Sequence, residues 1–147
     1  MINELKIKQN KERVKEAVND KYDCPGLYSI SIGDKLVYIG KSKSIIDRIG
    51  FHIWDIEDEE AESYNSHKYE IMREAIRRGK RISFELIYKS EETDEDKIEE
   101  DIGYQEGVYI RKYLPPLNYQ IPKEDNWRKF SVNKKAKTIK LDELLVD

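Results

Sequence analysis

The dipeptide Gly33-Asp34 separates two runs rich in β-branched and aromatic residues, Leu27 to Ile32 and Lys35 to Lys41. A Gly-Asp break between such runs signals a tight β-hairpin. The hairpin brings together two short tripeptides, Gly26-Leu27-Tyr28 and Tyr38-Ile39-Gly40. Two phenols beside two glycines can be chemistry, whereas an ordinary hairpin would use its tyrosines for packing. The spacing also makes a geometric demand. With a strict two-residue loop, Ile32 faces Lys35 and Ser29 faces Tyr38, so Tyr28 and Tyr38 project from opposite faces of the sheet. A site shared by both tyrosines therefore requires an odd-length loop or a bulge in one strand.

The remaining pattern predicts helices around this hairpin. Residues Asn3 to Val18 suit a polar helix, which Asp23-Cys24-Pro25-Gly26 breaks. Ile45, Ile49, Ile53 and Ile56 recur at helical spacing behind Ser44, a candidate N-cap. Tyr69, Met72 and Ile76 mark a second helix that stops at Gly79, with Arg77 and Arg78 at its C-terminal dipole. Ile82, Phe84, Leu86 and Tyr88 alternate as a third strand. Thr93 then offers a cap, with Asp94, Glu95 and Asp96 in the first turn of a helix that runs to about Tyr113 and ends before Pro115-Pro116. The expectation is one α/β (α+β) domain, with a small, mainly antiparallel three-stranded sheet flanked by helices. Its core spans about 24–121, between an N-terminal helical extension at 1–22 and a basic C-terminal tail at 122–147.

A chain of 147 residues can bury a core without staples, and one cysteine, Cys24, excludes an internal disulfide. No Cys/His cluster has zinc-ligand spacing. The lysine-rich N-terminus has no apolar segment, so neither a signal peptide nor a membrane span is expected, and the chain reads as cytoplasmic. A net charge of −3 argues weakly against nucleic acid. Distribution matters more than the sum. Acidic residues crowd into 55–62 and 91–101, while basic ones gather at 41–48, 77–81 and 123–140. The last stretch holds seven Lys and Arg against Glu124 and Asp125, a net of +5. Such segregation permits a basic face on an acidic protein, with ordinary solvated surfaces the competing account. Lys41, Lys43, Arg77, Arg78, Lys80 and Arg81 are the candidate nucleic-acid contacts.

Two helices carry residues that packing does not explain. Arg48 and His52 lie one turn apart on the same face, and an arginine fork grips phosphate bidentately. Glu106 falls on the stripe of Ile98, Ile102, Tyr109 and Tyr113. A carboxylate there is costly unless it is paired or ligates a metal, and a salt bridge at the stripe's edge remains the alternative. Gly103 and Gly107 inside the same helix cost on the order of 1 kcal/mol each relative to alanine, so something approaches the backbone closely there. Trp54 and Trp127 can stack on bases or fill core and interface positions. His67 has no companion. The apolar end Leu141, Leu144, Leu145 and Val146 can dock as a short helix on this or another subunit.

The ordered set Tyr28, Tyr38, Arg48, His52, Glu106 and Asn118, the last in Pro115-Pro116-Leu117-Asn118, resembles the signature of GIY-YIG nucleases. Leu27 replaces the middle isoleucine of the first tripeptide, and 55–66 is a longer acidic connection than the fold needs. The likeness covers about Gly26 to Tyr119, and the stretch Leu36 to Ser42 is similar to the small phage endonuclease II type. The resemblance implies phosphodiester hydrolysis in DNA with one divalent metal, Mg²⁺ with Mn²⁺ as a substitute, leaving 5′-phosphate and 3′-hydroxyl ends. Glu106 would hold the metal. Tyr28 would be the general base on water, with its phenol pushed well below about 10 by metal, Arg48 or a lysine such as Lys41. Arg48 would neutralise the developing phosphorane, Tyr38 and His52 would position water and phosphate, and Asn118 would order the site by hydrogen bonding. One such site cuts one strand, so double-strand breaks need a homo-oligomer, dimer or tetramer, or sequential nicks. The alternative is a catalytically silent nucleic-acid or protein-binding module on the same scaffold. Intact Tyr28, Arg48 and Glu106 discriminate against it.

Overall fold

A computed structural model describes residues 22–61, 63 and 65–146. The helix expected over Asn3 to Val18 lies outside the described residues. Strands β1 (Gly26–Ile32) and β2 (Lys35–Ser42) form the hairpin, and β3 (Ile82–Lys89) adds antiparallel to β1, giving the order β2-β1-β3. Helices α1 (Ile45–Glu57) and α2 (His67–Arg77) link β2 to β3, and α3 (Glu95–Tyr113) follows β3. The class is therefore mixed α and β with an antiparallel three-stranded sheet, as the periodicity predicts.

Gly33 takes φ +58°, and Ile32 pairs with Lys35 across a two-residue loop. The register then shifts. Ser31 pairs with Leu36 but Ile30 with Tyr38, leaving Val37 as an extra residue in β2. This bulge puts Ile30 and Tyr38 opposite each other, and Tyr28, two residues along β1, shares their face. The geometric demand of a shared tyrosine site is met by a bulge rather than by a longer loop.

That face packs on the helical layer. Ile30, Ile32 and Val37 join Ile45, Ile49, Ile53 and Ile56 of α1 and Tyr69, Met72 and Ala75 of α2 in one buried cluster. Each such side chain contributes roughly 1.5–3 kcal/mol by leaving water. The opposite face carries Leu27 and Ile39, both buried, and α3 packs across β2 and β1. Two capping details differ from expectation. Ser44 occupies the N-cap of α1 without a side-chain bond, and the Ser42 hydroxyl accepts from its amide at 3.0 Å instead. Asp94 rather than Thr93 caps α3, accepting from the Lys97 amide at 3.2 Å, since a carboxylate also suits the positive end of the dipole.

The C-terminal residues are not a tail beside the core. A hairpin of β4 (Gln120–Pro122) and β5 (Phe130–Val132) is followed by a 3-10 turn at Lys134–Lys137 and a short α4 (Leu141–Leu144). Ile139, Leu141 and Leu144 belong to the main buried cluster, so the boundary near 121 is corrected: the last apolar residues dock on this same chain. The glycines of α3 find their reason in this segment. A Cβ on Gly103 would stand 2.6 Å from the Trp127 ring, and one on Gly107 3.2 Å from Pro122. Among the described residues no helix is long and apolar enough to cross a membrane.

Candidate active site

Strand β2 is a sheet edge, and the site is built around it. Tyr28 reaches from β1 under Gly40, its partner across the ladder, and a Cβ at 40 would collide with the Tyr28 hydroxyl. Gly26 has a similar constraint, because the Tyr88 carbonyl of β3 occupies the space of its missing side chain. The two glycines of the paired tripeptides thus exist for close approach. Tyr28 and Tyr38 lie with ring centroids 6.4 Å apart.

These tyrosines line a cleft of about 670 Å³ together with Arg48 of α1, Glu106 of α3 and Asn118. The positive charge of Arg48 acts on the Tyr28 hydroxyl and favours its ionised form. Glu106 comes from the far side of the sheet to the β2 edge, where the Lys41 ammonium stands 3.9 Å from its carboxylate. Burial raises the Glu106 carboxyl, and Lys41 opposes that rise. Asn118 accepts from the Ile39 amide at 2.9 Å and donates to the Ile39 carbonyl at 2.8 Å, acting as a one-residue strand on the open edge. With the Leu117 amide on the Val37 carbonyl, at 2.9 Å, it fixes the bulged segment that carries Tyr38.

His52 stands elsewhere. It is 0% exposed and does not line the cleft. Its Nε2 lies 2.6 Å from the Tyr28 hydroxyl and its Nδ1 2.6 Å from the Tyr69 hydroxyl. Both ring nitrogens are engaged within the protein, so His52 meets the cleft only through its contact with Tyr28 rather than directly, as expected for a residue that positions water or phosphate. Burial, with the charges of Lys68 and Arg48, holds its pKa well below the usual histidine range, so the imidazole is neutral. The Tyr28 phenol also departs from expectation. Burial and then Tyr38 push it well above 10, against the smaller opposing effect of Arg48, so it is a neutral hydroxyl here. Burial and Glu106 raise Tyr38 as well.

The basic residues separate. Lys41 lines the cleft, its ammonium 4.2 Å from the centre of the Trp127 ring, while Lys43 pairs with Glu95 at 3.0 Å outside it. Arg77 and Arg78 border a different groove, where Arg78 pairs with Glu74 and Asp142. Lys80 and Arg81 are exposed and do not line the cleft. What sequence reasoning missed is Lys68, at the start of α2. Its ammonium lies 4.5 Å from the centre of the Tyr38 ring, and burial and then Arg48 push it down to about 8, against Asp55. Arg128, Phe130 and Lys137 of the C-terminal segment complete the wall. Spacing along the chain gives none of these away, because the link before α2 and the β4–β5 hairpin bring them in.

No protein-family profile matches the chain. It is 28% identical over 125 residues, 82% of its length and 90% of the relative's, to Endonuclease II of Enterobacteria phage T4. A solved structure, a mutant of bacteriophage T4 EndoII, aligns with 69% of this chain and 85% of its own at 24% identity and a TM-score of 0.46. By the order of its motif residues and by this curated relative the chain is similar to the GIY-YIG nucleases, which are phosphodiester hydrolases. Within that class the chain is similar to the phage endonuclease II type.

Proposed function

We propose that the protein is a metal-dependent DNA endonuclease that leaves 5′-phosphate and 3′-hydroxyl ends. The observation that carries this reading is the convergence of Tyr28, Arg48 and Glu106 on one cleft from β1, α1 and α3. No group of three or more His, Cys, Asp or Glu side chains that could hold a metal exists among the described residues. A single, largely buried carboxylate fits a hydrated Mg²⁺, which takes one or two carboxylates and completes its shell with waters and phosphate oxygens, and Mn²⁺ can replace it. When bound at Glu106, the cation supplies charge neutralisation at the scissile phosphate. The other contributions come from the chain itself.

Arg48 donates to a phosphate oxygen and offsets the charge that builds as water attacks. Tyr28, a neutral hydroxyl beside neutral His52, works as a base without becoming a free phenolate. Its oxygen takes a proton from the attacking water while its own proton passes to His52 Nε2, at 2.6 Å. The water oxygen forms the new bond to phosphorus as the bond to the 3′ oxygen breaks, and the 3′ oxygen takes a proton from solvent to leave as the hydroxyl. The proton held on His52 returns through Tyr28 to solvent after the products leave. Asn118 keeps the β2 edge in register, and Lys41, Lys68, Arg128 and Lys137 hold the flanking backbone of the DNA. A homo-oligomer, or two successive nicks, would be needed to cut both strands.

A plasmid nicking assay with Mg²⁺, comparing wild type with Glu106→Ala, tests the reading. Cutting that requires metal and is lost in the variant supports it. A wild-type protein that cuts no DNA with any divalent metal would sink the enzyme and leave a silent binding module on the same scaffold.

A further inference from the structure

The β4–β5 ribbon is pinned to α3 at several points. Trp127 lies over Gly103 and donates from Nε1 to Glu100 at 3.2 Å, Arg128 pairs with Glu100 at 2.8 Å, and Arg111 donates to the Pro122 carbonyl at 2.8 Å. At the other end of the ribbon the Asn133 amide bonds the Tyr119 carbonyl at 2.7 Å. Pro122 rests against Gly107, the residue after Glu106, and pairs across the ribbon with Phe130. Paired strands lie about 5 Å apart, so Phe130 is held on the Glu106 side of the cleft. Its ring is 45% exposed, lies outside the main buried cluster and lines the cleft. Trp127 does not offer the same surface, because Gly103 backs its ring while the Lys41 ammonium and the Arg128 guanidinium each lie 4.2 Å from its centre.

Core packing does not account for a phenyl ring kept in water on a fixed support. Its neighbours in the cleft wall include two cations, Arg128 and Lys137, the second 4.1 Å from the centre of the Tyr119 ring. The surrounding stretch 123–140 carries a net charge of +5, so this wall suits a polyanion. A phenyl ring neither donates nor accepts an ordinary hydrogen bond, and the part of DNA that matches it is the flat face of a base. In a stacked duplex those faces are covered by neighbouring bases. We propose that Phe130 stacks on an unpaired or unstacked base beside the scissile phosphate, so that the enzyme selects DNA that is single-stranded or locally opened. The inference rests on the nuclease reading and names the substrate class within it. Fully paired DNA must first unstack a step to reach the ring, whereas a mismatch or a single strand has already met that cost.

The test compares Mg²⁺-dependent nicking of a fully paired DNA circle with that of the same circle carrying a short mismatched bubble. Alongside, a single-stranded oligonucleotide containing 2-aminopurine is bound without divalent metal, since stacking on a ring quenches that base. Wild type should cut mainly in and beside the bubble and quench the probe. In Phe130→Ala the ratio of bubble to paired cutting should fall towards one, and the single strand should bind roughly 5- to 150-fold more weakly, the loss that follows from truncating a stacking aromatic. Phe130→Trp should keep both properties, whereas Phe130→Leu, apolar but without an aromatic face, should behave as Phe130→Ala. Val132→Ala removes an equally exposed apolar side chain of β5 that does not line the cleft, and should match wild type. A wild type without preference for the bubble or without effect on the probe would overturn the proposal. So would a Phe130→Ala or Phe130→Leu protein that behaves as wild type, or an equal loss in Val132→Ala. In each of these cases wild type still cuts and the nuclease reading survives. If wild type cuts neither circle with any divalent metal, both fall.

Discussion

Replacing Lys68 by Met should make the protein more stable and less active at neutral pH. The ammonium lies between the Tyr38 and Tyr69 rings, and its pKa is pushed from the ordinary 10.5 to about 8, chiefly by burial and then by Arg48. A tenfold change in proton affinity corresponds to ~1.4 kcal/mol, so carrying the charge in the folded state costs ~3 kcal/mol at pH 7. The sign follows from the lowered pKa. The cost is fully developed below pH 8, declines between 8 and 10.5 as the unfolded chain also loses its proton, and is absent above. At pH 10 it is below about 1 kcal/mol. Part of the gain in Lys68→Met is lost with the cation–π contact to Tyr38, at 4.5 Å, and part because the side chain is not wholly shielded from water. A net gain of about 1–2 kcal/mol remains at pH 7, or roughly 3–6 °C in Tm for a domain of this size. Urea unfolding of both proteins at pH 7 and pH 10 measures it, with nicking assayed alongside. A variant that is less stable than wild type at pH 7, or whose gain is equal at both pH values, refutes the reasoning.

Three further substitutions address the β2 edge and the cleft wall. Asn118→Ala leaves the Ile39 amide and carbonyl without their partner and should cost about 1–3 kcal/mol, read by thermal unfolding together with faster exchange of the Ile39 amide. Unchanged exchange would mean that water replaces Asn118 without loss. Gly40→Ala drives a methyl into the Tyr28 hydroxyl, and a displacement of that size should slow nicking by about 100-fold. Gly33→Ala, where nothing lies nearby but φ is +58°, should cost only about 1 kcal/mol of stability and leave the rate alone, so equal rates for the two variants would contradict the packing argument. Gly103→Ala should lift Trp127 off α3. In a Trp54→Phe background its emission maximum should move to longer wavelength, and an unmoved maximum would show that the ring does not rest on Gly103.

The architecture was legible where local periodicity and turn chemistry agree. Ile45, Ile49, Ile53 and Ile56 mark α1 because a 3.6-residue repeat buries all of them together, and Gly33-Asp34 marks the hairpin because a glycine readily adopts φ +58°. The end of α3 was equally plain from Pro115-Pro116, since a residue before proline leaves helical geometry. Its start was misplaced by one residue, because Thr93 and Asp94 are both competent caps and only the tertiary path selects between them.

For the site, the sequence by itself determined which polar groups exist and in what order, and it set the condition that Tyr28 and Tyr38 could share a face only through a bulge or an odd loop. Tertiary structure chose the bulge at Val37, a choice made by core packing and by Asn118 on the open edge rather than by the hairpin's own residues. It also buried His52 between Tyr28 and Tyr69 and set Lys68 over Tyr38. Those contacts join residues distant in the chain, and burial is what gives them their chemistry. A phenol, an imidazole and an ammonium have ordinary proton affinities when written in a line of sequence. They acquire unusual ones only when the fold removes their water.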